Sequence, residues 1–157
     1  MSTLGHMSLD SRAALRLTSP ADLVACVPYL LGFHPSDSVV LIAVHDGHIR
    51  FTARGDLPER AAVTAAVDHL FEVLSRQQCD RLAAVGYGAA GRVDPVLSAV
   101  RAAAARRGLP LLDLLRVTAG RWFSHTCANP ACCPPEGTPL DIAASPVAAA
   151  FTYAGAP

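Results

Sequence analysis

The sequence predicts an α/β fold: a single domain whose mixed sheet carries two β-hairpins and is covered by about three helices. Three observations point there. Apolar residues recur at helical spacing in separate segments, β-branched runs stand between them, and the dipeptides Asp46-Gly47 and Ala119-Gly120 each join two strand-like runs. The order helix, hairpin, helix, strand, helix, hairpin implies parallel pairing wherever a helix crosses over between strands.

The elements follow in order. Thr18-Ser19-Pro20 offers a cap and an early-helix proline, and Leu23, Val24, Val27, Leu30 and Leu31 form an apolar stripe that should end near Gly32. Phe33-His34-Pro35-Ser36-Asp37 reads as a turn, because a residue before proline avoids the α region. Ser38 to Val44 is an aliphatic strand, and after Asp46-Gly47 the residues Ile49, Phe51 and Ala53 alternate with Arg50, Thr52 and Arg54. Asp56 and Pro58 are expected to open a helix with Val63, Val67, Leu70, Phe71 and Leu74 inward, followed by a strand from Leu82 to Val85. Asp94 as cap and Pro95 as first residue are expected to start the next helix, which stops near Gly108. Leu111 to Val117 is the last long strand, turned by Ala119-Gly120 into Arg121-Trp122-Phe123.

Composition narrows the function classes. Acidic and basic residues balance at 13 each, so no global field attracts nucleic acid. No apolar run reaches the roughly 18 residues that span a bilayer, and no secretory signal opens the chain, so a cytoplasmic, non-membrane protein is expected. Residues 1–7, with Gly5-His6-Met7, read as a cloning remnant, leaving 8–157 as one domain. The end at Ala154-Gly155-Ala156-Pro157 reads as a truncation. Five cysteines, odd in number, do not make a secreted disulfide scaffold, so reduced thiols are the expectation.

Chemistry concentrates in the loop from Arg121 to Gly137, which holds Cys127, Cys132 and Cys133 among Pro130, Pro134 and Pro135. Three stretches also carry a resemblance: Ser19-Pro20-Ala21-Asp22-Leu23; Pro28 to Pro35 with Ser38; and Arg121-Trp122 with Ser124, Cys127, Pro130, Cys132-Cys133-Pro134 and Gly137. Together they resemble a family common in actinobacteria, domain of unknown function 4192, over nearly the whole chain. The resemblance implies that the His34 turn and the cysteine loop belong to one recurring pattern, and that relatives continue beyond this chain's end. It brings no activity, substrate or cofactor with it.

Cys127 and Cys132 have four residues between them, a knuckle spacing for zinc to which His125 adds a nitrogen. A closed site needs a fourth ligand, with His34 or Cys26 as candidates. A second reading makes Cys127, Cys132 and Cys133 a redox or nucleophilic thiol site near Arg121 and His125. The simplest reading leaves the cysteines as small hydrophobes under a proline-stiffened loop, with Cys26 and Cys79 packed in helices. Gly86, Gly88 and Gly91 match a dinucleotide fingerprint, with Asp113 lying 22 residues beyond Gly91. Against it, the helix expected to start at Asp94 lies after the third glycine, and Asp113 lies inside its strand.

The resulting expectation is a domain that binds a small molecule or protein partner between the His34 turn and the cysteine loop, through His34, Ser38, Arg121, Trp122, Ser124 and Glu136. The alternatives are a thiol- or zinc-dependent enzyme centred on the loop, and nucleotide binding at Gly86-Gly91.

Overall fold

A computed structural model describes residues 3–5, 20–126 and 134–140. The strands are β1 (Thr3–Gly5), β2 (Ser38–His45), β3 (His48–Asp56), β4 (Arg81–Tyr87), β5 (Leu111–Thr118), β6 (Arg121–Ser124) and β7 (Thr138–Pro139). The helices are α1 (Pro20–Leu31), α2 (Val63–Leu74) and α3 (Ala90–Arg106). Among the described residues the strands form one mixed sheet in the order β1-β3-β2-β4-β5-β6-β7.

Two apolar layers flank this sheet, and strand alternation supplies both. Val39, Leu41, Leu82, Ala84 and Leu114 face α2 and α3, whereas their neighbours Val40, Ile42, Ala83, Val85 and Leu115 face α1. Each such leucine taken from water contributes about 1.5–3 kcal/mol, which is why continuous aliphatic runs become the central strands.

Connection handedness explains which helix covers which face. The crossovers β3-α2-β4 and β4-α3-β5 advance in one direction along the sheet between parallel-running strands, so a single right-handed sense puts both helices on one face. Strands β1 and β2 run the opposite way but advance in the same direction, and α1, between them in the chain, lies on the other face.

Three expectations need correction. The α2 crossover does not yield a parallel pair: β4 lies beyond β2 and pairs with it antiparallel, and only β4 with β5 is parallel among the described strands. Asp56 and Pro58 do not open α2, because Asp56 ends β3 and a 3-10 turn over Arg60–Ala62 precedes Val63. A bulge opposite Ala43 and Val44 absorbs Arg50, so Ile49 joins the α1 layer while Phe51 and Ala53 join the other. Thr3–Gly5, inside the segment expected to be a remnant, pairs as an edge strand with Leu4 opposite Ala53. The sequence reading also lacked β7, where Thr138 and Pro139 pair with Trp122 and Arg121.

Both predicted hairpin turns form. Asp46 and Gly47 have φ of 51° and 75°, and Ala119 and Gly120 have 51° and 73°, the positive pair a two-residue turn between twisted strands requires. Alanine pays about 1–2 kcal/mol for a left-handed conformation. Ala119→Gly is therefore expected to stabilise the protein by roughly 0.5–1 kcal/mol in urea denaturation, net of the added freedom of the unfolded chain.

Candidate functional site

The pairing register places the sequence-predicted residues on a common grid. Ser38 lies opposite Tyr87, Tyr87 beside Val117, Val117 opposite Trp122, and Trp122 opposite Thr138, one row across one end of the sheet. The His34 turn and the start of β6 therefore share a sheet end, with Ser38 and Trp122 three strand spacings, roughly 14 Å, apart. Tyr87 and Val117 occupy the interval on the α1 side.

Several of the predicted site residues are already engaged. Ser38 is fully buried and donates its hydroxyl to the Ser36 carbonyl at 2.6 Å. Trp122 is core, packed with Leu115 and the α1 residues. The Arg121 guanidinium donates to the Gly137 carbonyl at 3.1 Å. His34 and Glu136 are exposed. The Tyr87 hydroxyl is buried without a hydrogen-bond partner, and burial, with Cys26 nearby as a smaller cause, pushes its pKa far above the ordinary 10.0.

At the far end of β6 the chain enters the cysteine loop through a network of fixed contacts. Asp113, buried on β5, accepts at Oδ1 from the Leu114 amide (2.8 Å), the Ser124 hydroxyl (2.8 Å) and the Thr126 hydroxyl (2.7 Å). His125 donates its backbone amide to the Leu114 carbonyl, and its own carbonyl accepts from Arg101 at 2.7 Å. The His125 imidazole Nε2 lies 3.0 Å from Asp94 Oδ1, and Arg116 Nη1 lies 3.2 Å from the same oxygen. Arg116 also stacks on the Phe123 ring, 4.1 Å from its centroid.

The loop's return is held as firmly. Gly137, at φ 82°, rests on the Phe123 ring so closely that a Cβ there would come within 2.6 Å of the ring, and Leu140 donates its amide to Gly120. The sequence reading placed Asp94 as a helix cap and Ser124 as a ligand group. In the structure Asp94 lies inside α3 and holds His125, and Ser124 braces Asp113. No local pattern announces the Asp94–His125 pair, since only the packing of α3 against the β5–β6 hairpin brings the two together.

The glycine motif also needs a correction. Helix α3 begins at Ala90, between the second and third glycines, and Asp94-Pro95 lie inside it. That removes one objection to a dinucleotide site, but Gly86 and Gly88 serve close packing. A Cβ on Gly86 would meet Val93 at 2.4 Å, and Gly88, at φ 146°, would meet Leu57 at 2.9 Å, whereas Gly91 has nothing within 4 Å. Asp113 stands near the start of β5, beside Ala83, while the glycine turn lies past Tyr87 and Val117 at the other end. With three donors on one oxygen, it is a brace for the loop.

Residues 20–157 match the family model described as Domain of unknown function (DUF4192). The chain belongs to this family. No curated protein and no solved structure matches it. No helix among the described residues of this DUF4192 domain is long and apolar enough to cross a membrane.

Cys127, Cys132 and Cys133 lie outside the described residues, and with them the proposed metal and redox sets. Among the described residues no three His, Cys, Asp or Glu side chains gather as a metal site. Cys26 sits in the α1 core and donates its thiol to the Leu23 carbonyl at 3.2 Å. Cys79 is not in a helix as expected but in the connection from α2 to β4, partly exposed, with its thiol on the Arg81 carbonyl.

Two predictions follow from this DUF4192 geometry. Gly86→Ala should cost about 1–3 kcal/mol by overpacking against Val93, whereas Gly91→Ala should be stabilising by about 0.5–1 kcal/mol, as read by thermal melts of both variants. Burial, with the Asp22 charge adding to it, pushes the Cys26 thiol from 9.0 up to about 12. The native state then holds a proton that the unfolded chain releases, so this contribution is complete below pH 9 and is lost as pH rises toward 12. Urea denaturation across that range should show an alkaline loss of stability that Cys26→Ala reduces.

Proposed function

We propose that this domain binds a ligand through the loop between His125 and Pro134, and that the ligand is a zinc-type divalent metal held by His125, Cys127 and Cys132. The observation that carries the reading is the Asp94–His125 contact at 3.0 Å. Metal-binding histidines characteristically give their second ring nitrogen to a carboxylate, which fixes the ring and raises its basicity. Here Nε2 faces the carboxylate, which leaves Nδ1 as the nitrogen for a metal. By sequence, two thiols at knuckle spacing follow directly.

The interval between the His34 turn and β6 supports a pocket less well, because Tyr87 and Val117 fill it beneath α1. The two fourth-ligand candidates also lie apart from His125: Cys26 is sealed in the core, and His34 is at the opposite end of the sheet. Three protein ligands leave one position open, as in zinc sites that bind a water or small molecule. A reducing, cytoplasmic setting keeps such thiols available.

Elemental analysis of freshly purified protein, with thiol counting before and after chelation, tests this. About one zinc per chain is expected, with loop thiols that become reactive only on chelation. Asp94→Asn should weaken zinc binding by roughly 10- to 100-fold. Metal-free protein with freely reactive thiols, or zinc retained unchanged in Cys127→Ser, would overturn the proposal.

A further inference from the structure

Away from the cysteine loop, the packing of β3 against α2 and α3 leaves a cavity of about 130 Å³ that opens to solvent. Val39, Val67, Leu70 and Val96 line it with hydrocarbon, and the exposed Asp56 and His69 border it. Gly55 keeps it open. In the β2–β3 ladder Gly55 lies opposite Val39, so a side chain there would project to the α2 face, where its Cβ would lie 3.8 Å from Leu70, an ordinary contact.

Neither backbone nor neighbours demand a glycine at this position. Gly55 is not among the glycines with positive φ, and a Cβ there would make only an ordinary contact with Leu70. A glycine inside a strand weakens it, so the position gives up strand stability and leaves an unfilled apolar volume. A sealed apolar cavity of about 150 Å³ accepts a benzene molecule, so this solvent-open cleft of about 130 Å³ has room for a group of similar size.

We propose that this cavity is a binding site for a small molecule that inserts a compact hydrocarbon group, up to the size of an aromatic ring, and presents a hydrogen-bonding substituent to His69. The site shares no residue with the proposed metal loop. Its fate and that reading are therefore decided by separate measurements.

Phenol is the probe, titrated into the full, isotope-labelled chain and followed by amide NMR shifts. Saturable shifts at Gly55, Leu70 and Val96 with a millimolar Kd are expected. Gly55→Val should fill the volume and weaken phenol on the order of tenfold or more while keeping the melting temperature at or above that of the parent. Val96→Leu serves as a second filling variant with the same expected loss. His69→Ala should weaken phenol severalfold and leave benzene unaffected. Shifts that fail to saturate, or that persist unchanged in both filled variants, would overturn the proposal, as would equal loss of phenol and benzene in His69→Ala.

Discussion

Two strands buried on both faces are the constraint on which the rest of the molecule depends. Along β2 from Val39 to Ala43 and along β4 from Leu82 to Val85 no side chain is more than 1% exposed. A strand in that position has no solvent side, so every residue must be apolar and every amide must find a neighbouring strand. Both flanks of β2 are accordingly paired, to β3 and β4, and β4 is paired on its far side by β5. Both helical layers are needed for the same reason, and the small residues Ala84 and Gly86 let α3 come close to the sheet.

Toward the β6 edge the burial relaxes and polar groups take over. Arg116, Asp94 and His125 form a chain of contacts on the α3 side, while Asp113, Ser124 and Thr126 form another on the α1 side of the same hairpin. The two networks grip the entry to the cysteine loop from opposite faces, and β7 with Gly137 grips its exit. A segment rich in proline and cysteine thus leaves and rejoins a rigid frame, which is how binding loops are commonly presented.

The parts legible in sequence were those written in short-range chemistry. Asp46-Gly47 and Ala119-Gly120 announce hairpins, Gly32 ends α1 at φ 81°, and the β-branched run of β2 announces a buried strand. The start of α3 was missed because its cap is Ala89, which has no side-chain acceptor, while Asp94-Pro95 imitate a start signal five residues into the helix region. The bulge at Arg50 was missed because strict alternation through Ile49, Phe51 and Ala53 looks the same with or without an extra residue. The cavity was invisible for a different reason: Gly55 is one more small residue until Val39, Leu70 and Val96 are seen around it.

Among the described residues the outermost strand at the β7 edge is Thr138–Pro139, and one of those two residues carries no amide hydrogen. Such a short, proline-bearing border is a poor template for a further strand. Along Thr138–Pro139 the backbone therefore offers little for strand addition, and the side chains dominate what that border presents.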